Sequence, residues 1–189
     1  MKPNLAALFL ILLPTGVLAQ DHHSYRLNPA ASAVSAEVPF LLIGSKTAGF
    51  PDVTGAVRLN QADPTAIDLR VTLDAAALTA GDDTTLRRLR GEKFFDVATY
   101  PDITFTGTIM TPTGPDTAVV GGDLTARGIT QPVNLSVTFG TPLAALPNGK
   151  PVALTAETTI NRRDFGMTSY GLIVGNRVTI LIETQMAPE

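Results

Sequence analysis

The 189-residue chain holds few side chains of the kinds that make and break bonds. It has no cysteine and two histidines, and the histidines are neighbours, His22 and His23. A serine or cysteine nucleophile needs a histidine base that a third group orients. Here that base must come from one short segment near the start of the chain, which reads as a mobile tail. The sequence contains neither a glycine-rich phosphate loop nor a metal-spaced His/Asp/Glu cluster. The acidic pair Asp82-Asp83 is accounted for by a helix start. These residue types point away from catalysis, and we assign no catalytic residue. One metal arrangement stands out. If a leader ends at Ala19, the new terminus Gln20-Asp21-His22 offers an amine, two amide nitrogens and an imidazole. That set suits square-planar Cu(II) or Ni(II), unless Gln20 cyclises and removes the amine. His22 is thus the one metal-ligand candidate, and no resident cofactor is expected.

Two cationic groups are candidates for binding. Arg162 and Arg163 are adjacent, so on a strand they face opposite ways and one of them reaches inward. The inward one is expected to pair with Asp164 or Glu157. The run Arg87, Arg88, Arg90 and Lys93 reads as a solvated helix face that can also attract anionic lipid. The formal net charge is −3. A mildly acidic chain is a poor nucleic-acid binder, because phosphate binding needs a basic surface.

The start of the chain bears on compartment. Lys2 precedes the apolar run Leu5–Leu13, which Pro14 and Gly16 break before Val17-Leu18-Ala19. That order of basic, apolar and small residues is a secretory signal. The run is shorter than the ~20 apolar residues that span a bilayer. We therefore expect residues 1–19 to be a signal peptide, the protein to be exported to the periplasm, and no membrane-spanning segment to remain. Residues 20–189 suit a single domain with a real core.

Alternation dominates after residue 30. A half-buried strand alternates apolar and polar side chains. Ile67–Leu73, Ile103–Ile109, Val133–Phe139 and Val178–Glu183 do so, with Leu181 out of phase. Val34–Phe40, Val57–Leu59, Ala118–Leu124 and Val152–Ile160 are weaker versions. That makes eight strands separated by turn clusters such as Gly114-Pro115-Asp116 and Pro147-Asn148-Gly149. The spacing favours an antiparallel barrel or sandwich. One helix interrupts it at about 82–91: Asp82 caps it, Arg87, Arg88 and Arg90 suit its C-terminal dipole, and Gly91 ends it. Leu86 and Leu89 share a face that covers the barrel. An eight-stranded barrel is either filled by its own side chains or holds one small ligand. The inward set includes the small residues Ala36, Gly55, Gly107, Gly122 and Ala156, which would leave volume. Patterning alone leaves the choice open.

Three ordered motifs resemble those of the YceI-like family. They are Phe94-Phe95-Asp96 with Tyr100-Pro101 and Ile103-Thr104-Phe105; Gly122-Asp123-Leu124-Thr125 with Arg127-Gly128-Ile129-Thr130; and Ile160-Asn161-Arg162-Arg163-Asp164-Phe165-Gly166-Met167. The resemblance covers residues 20–189. It implies an all-β, eight-stranded, antiparallel, lipocalin-like barrel with one short inserted helix. It also implies a periplasmic location and binding of a long isoprenoid, either a polyprenyl phosphate or an isoprenoid quinone. The segment His22–Leu27 matches the family's opening only loosely, and Ala31-Ser32-Ala33 stands where a His-Ser pair is expected. Any role of that histidine is not carried over.

An isoprenoid tail needs an apolar tunnel. The residues expected to line it are Phe40, Leu69, Val71, Phe94, Phe105, Leu135, Val137, Phe139, Phe165, Tyr170 and Ile180. Of the adjacent pair Phe94 and Phe95, one plugs the barrel and the other anchors the helix. Phe165 and Gly166 form a tight turn, and Tyr170 gates an opening. Arg162 is the head-group candidate. The leading expectation is an exported, non-catalytic carrier of an isoprenoid lipid. The alternatives are a stress-response or surface-interaction module with a filled barrel, and an outer-membrane barrel. The absence of Trp and the 6% aromatic content argue against the latter. A homodimer through an exposed strand edge is allowed.

Overall fold

The computed structural model describes residues 22–41, 44–60, 63 and 65–189. The expected signal peptide, residues 1–19, lies outside the described residues. So do Gln20 and Asp21 of the amino-terminal metal motif.

The strands are β1 (His22–Leu27), β2 (Ala33–Phe40), β3 (Gly44–Phe50), β4 (Val53–Asn60), β5 (Ala66–Asp74) and β6 (Thr79–Ala80), followed by the helix α1 (Asp83–Arg90). Then come β7 (Asp102–Pro112), β8 (Thr117–Ala126), β9 (Ile129–Phe139), β10 (Val152–Asn161) and β11 (Arg177–Pro188). Every pairing is antiparallel. The order β1-β4-β5-β7-β8-β9-β10-β11 closes on itself through β1–β11, giving an eight-stranded barrel. β2, β3 and β6 continue from β11 beyond that ring.

The eight alternating runs fall on eight of these strands, but not on all eight of the ring. β1 is the strand that alternation missed. Its His22-His23-Ser24 start has no apolar phase, yet Tyr25 (1% exposed) and Leu27 enter the core. The expected tail is therefore a strand, paired from His22 opposite Asn60 to Arg26 opposite Ala56. β3 was missed as well, since only Ala48 and Phe50 of its residues carry an apolar signal. β1 and β2 lie end to end along the long β11, separated by a single 3-10 turn at Pro29–Ala31.

A bulge corrects one inward assignment. The register between β7 and β8 shifts between Gly107 and Ile109. Ile109 is thereby turned to solvent (57% exposed) and Met110 takes the inward place. The glycines are corrected too. A Cβ on Gly122 would lie 2.2 Å from the Thr106 carbonyl and 2.8 Å from the Phe105 ring. Gly107 and Gly122 are directly paired and serve close approach of two strands, so they leave no space for a ligand. Elsewhere alternation holds. On β9 the outward Asn134, Ser136 and Thr138 are exposed while Val133, Val137 and Phe139 are buried. That is the reverse of a membrane-embedded barrel. No helix among the described residues is long and apolar enough to cross a membrane.

α1 forms where expected. The Asp82 carboxylate accepts from the Thr85 backbone N–H at 2.8 Å and from the Thr85 hydroxyl at 2.8 Å. At the other end the Gly91 N–H donates to the Arg88 carbonyl. Leu86 and Leu89 pack against the core from outside.

Candidate functional site

The barrel encloses an apolar cavity of about 210 Å³. At one end Leu146, on the segment Leu143–Asn148, closes it. At the other end Phe50, Phe95, Met167 and Arg162 form the wall. The few polar residues on the wall are Ser32, Thr104, Thr158, Thr184 and Arg162. Ser32 and Thr184 satisfy each other at 2.6 Å. An apolar cavity of roughly 150 Å³ already stays dry and admits a benzene-sized guest. Water has few partners here, and an apolar molecule has many.

Of the residues expected to line a tunnel, Leu69, Val71, Phe105, Leu135, Val137, Phe139 and Ile180 do line the cavity. Phe40, Phe94, Phe165 and Tyr170 do not. Phe40 sits where β2 extends past the cavity; it bridges to Val174, and the Lys46 ammonium lies 5.5 Å from its ring. Phe94 is buried but stacks on Tyr170, with ring centroids 5.9 Å apart and planes 8° apart. Its neighbour Phe95 is the one that reaches the cavity, edge-on to Phe50 at 5.8 Å. Phe165 is 1% exposed, packed within the turn Arg162–Phe165. Tyr170 lies on the outer side of the following loop at φ 59°. Sequence reasoning missed Phe50, Met110 and Met167 on the wall, and of the pair Phe94 and Phe95 it named Phe94 as lining where Phe95 does so. Adjacent phenylalanines do not reveal which of them points inward, and Met110 depends on the bulge.

Arg162 is 3% exposed and also lines the cavity. The expected ion pair with Asp164 or Glu157 is absent, since neither joins the ion pairs of the described residues. The guanidinium donates instead to backbone carbonyls. Nε reaches Gly175 O at 2.8 Å, Nη1 reaches Met167 O and Ser169 O (2.9 Å), and Nη2 reaches Val174 O at 3.0 Å. These bonds use four of its five N–H groups. Burial, and secondarily the charge of Arg163, pulls its pKa below the ordinary value. The cavity therefore has one cation in its wall, held by dipoles and not by a counter-ion.

The neighbouring contacts explain how Arg162 comes to be there. β9 and β10 pair only from Leu154 opposite Phe139 to Glu157 opposite Ser136. Beyond that they splay, and the turn Arg162–Phe165 fills the space. Asn161 accepts from the Arg163 N–H and donates to Asp164, and Gly166 closes the turn at φ 75°. Gln131 on β9 donates to Asp164 O at 3.1 Å. Arg127, in the β8–β9 turn, donates to Gly166 O at 2.6 Å and to Glu92 O at 2.7 Å. Three segments distant in sequence are thereby tied together at this end. Among the described residues, no group of three or more His, Asp or Glu stands where a metal ion would be held. His22 is the first residue of β1; the rest of its candidate site lies outside the described residues.

Known proteins match both sequence and architecture. The "UPF0312 protein" of Pseudomonas putida is 34% identical over 122 residues, which is 65% of this chain and 64% of that one. The chain thus spans about 64% of the length of the curated relatives it matches first. The crystal structure of Burkholderia cenocepacia BcnA superposes with a TM-score of 0.74 at 24% identity, covering 84% of this chain and 98% of that one. A polyisoprenoid binding domain from Saccharophagus degradans superposes at 0.68 with 15% identity, covering 87% and 98%. At these identities the two structures speak for the fold. A family model described as the YceI-like domain matches residues 25–186, nearly the whole described barrel, and the chain belongs to that family.

Proposed function

We propose that this protein is an exported, non-catalytic carrier that holds one isoprenoid lipid in its barrel, tail in the apolar cavity and polar head towards Arg162. The observation that carries the reading is the cavity inside the barrel: apolar along its length and furnished, among the described residues, with a single buried cation. A five-carbon isoprene unit gains roughly 4 kcal/mol on burial at ~0.8 kcal/mol per CH₂, before ordering costs. Chain length is thus rewarded in regular steps, as suits a repetitive lipid. The one N–H that Arg162 keeps on Nη2 suits a single acceptor oxygen, either a quinone carbonyl or one phosphate oxygen. A bidentate grip on phosphate would first have to release the carbonyls of the 167–175 loop. The basic-apolar-small order of residues 1–19 supports export to the periplasm, and the similarity to a polyisoprenoid binding domain supports the ligand class. The cavity also weighs against a filled barrel acting through its surface.

Organic extraction of the purified protein followed by mass spectrometry tests the reading. A prenyl lipid at near-stoichiometric amount is expected. Finding none, together with no uptake of added isoprenoid quinone or polyprenyl phosphate, overturns it.

A further inference from the structure

We propose that the Arg162 end of the barrel is a docking face for an anionic lipid surface. The proposal does not depend on which molecule fills the cavity. Two loops meet at this end, where the Leu41 N–H donates to Ile173 O at 2.8 Å. They present Leu41, Tyr170 and Leu172 outward, at 51%, 36% and 101% exposure. Leu41 and Tyr170 both hold left-handed backbone, at φ 53° and 59°. Non-glycine residues rarely adopt that conformation, and when they do it often marks a functional site. Nothing in the fold of the chain itself gains from holding Leu172 fully in water.

The charges beside these residues say what the face is for. The Arg88 guanidinium lies 5.6 Å, and the Lys93 ammonium 5.5 Å, from the centre of the Tyr170 ring. Neither enters an ion pair of the described residues. The acids near these cations include Asp82, which is bonded to Lys46, the exposed Asp83 and Glu92, and the half-buried Asp96. Exposed leucines, an amphipathic ring and cations around them match a bilayer interface, where apolar groups enter the acyl boundary and cations meet anionic head groups. The loop that carries Leu172 is the one whose carbonyls hold Arg162 from inside.

Flotation of the purified protein with vesicles tests this, using phosphatidylglycerol mixed with phosphatidylcholine against phosphatidylcholine alone. Binding to the anionic vesicles is expected, weakening as salt rises. Leu172→Asp touches no packed atom and is expected to weaken it about tenfold. The double variant Arg88→Gln with Lys93→Gln is expected to weaken binding about 25-fold on anionic vesicles, at roughly fivefold per cation. Comparing variants within one chain cancels any contribution from residues 1–19. Failure of the unsubstituted protein to bind the anionic vesicles, equal binding by Leu172→Asp, or binding indifferent to lipid charge overturns the proposal. Prenyl lipid extracted from the Leu172→Asp variant reads the cavity separately, so loss of either conclusion leaves the other measured.

Discussion

The two ends of this barrel are closed by different physics. At one end the segment Leu143–Asn148 lays Leu146, 4% exposed, across the cavity. Its side-chain fastening is a hydrogen bond from the Tyr25 hydroxyl to the Leu146 carbonyl. At the other end side chains are committed to backbone groups: Arg162 to four carbonyls, Arg127 to two, Gln131 to one. An apolar plug loses its hold in proportion to the atoms removed. A polar clamp fails more abruptly, because each abandoned carbonyl is left with the full cost of its desolvation. The first kind of end can breathe without penalty to the rest; the second is built to keep one shape around a cation.

Breaking the clamp is expected to have the largest effect. Arg162→Met removes a buried charge and strands the carbonyls of Met167, Ser169, Val174 and Gly175. At ~1–3 kcal/mol for each group that water cannot reach, partly relieved by loop opening, the loss is about 4 kcal/mol. For a chain of this size that is roughly 12 °C in Tm. Arg162→Lys keeps the charge with three donors and is expected to recover about half of the loss. Thermal unfolding of the two variants separates donor geometry from charge. Equal destabilisation by Met and Lys would show that the planar fork, and not the cation, is what matters.

Opening the plug comes next. Leu146→Ala is expected to cost about 2.5 kcal/mol and to enlarge the cavity at its closed end. Ligand exchange should quicken while the Arg162 end stays intact. Urea unfolding measures the first effect, and the off-rate of a fluorescent isoprenoid analogue measures the second. If exchange quickens in Arg162→Met and not in Leu146→Ala, the cavity opens through the clamp.

The same contrast explains what was legible in the sequence. The motif residues Tyr100, Arg127, Gly128, Asn161, Arg162 and Gly166 lie mostly at the clamped end. A Cβ on Gly128 would meet the Tyr100 ring at 2.7 Å, and Arg127 bonds to Gly166 O. Specific hydrogen bonds and close approaches admit one residue type, so they leave a readable signature. The cavity wall does not, because any apolar side chain of fitting volume serves it. Alternation located the strands and the inward faces of β5, β9 and β10, and caps placed α1 to the residue. It could not register the bulge at Gly107–Ile109, where the Ile-Phe-Gly-Ile phase runs unbroken in the sequence. Nor could it find β1 and β3, whose apolar positions are too few. Whether the barrel was filled was beyond it too, since cavity volume is a sum over all eight strands.

The smallest expected effect lies at the outer edge of the clamped end. The Lys46 ammonium, then the Thr85 backbone N–H and hydroxyl, hold the Asp82 carboxyl well below the usual carboxylate range. A carboxyl whose folded pKa is depressed contributes stability above its unfolded value, near pH 4, and loses it as pH falls further. Asp82→Ala is therefore expected to lower the urea midpoint modestly at neutral pH, and that gap should narrow as the pH drops from about 4 towards 2. Asp82→Asn keeps a cap for Thr85 but loses the charge, so it should fall between wild type and Ala. The response should be confined to α1 and the loops it meets. Leu146 itself carries no titrating group. Residue-resolved hydrogen exchange along an acid titration reads both ends in one experiment. Simultaneous loosening of Leu146 and Leu86 would mean that the two closures are coupled through the strands and are not independent ends.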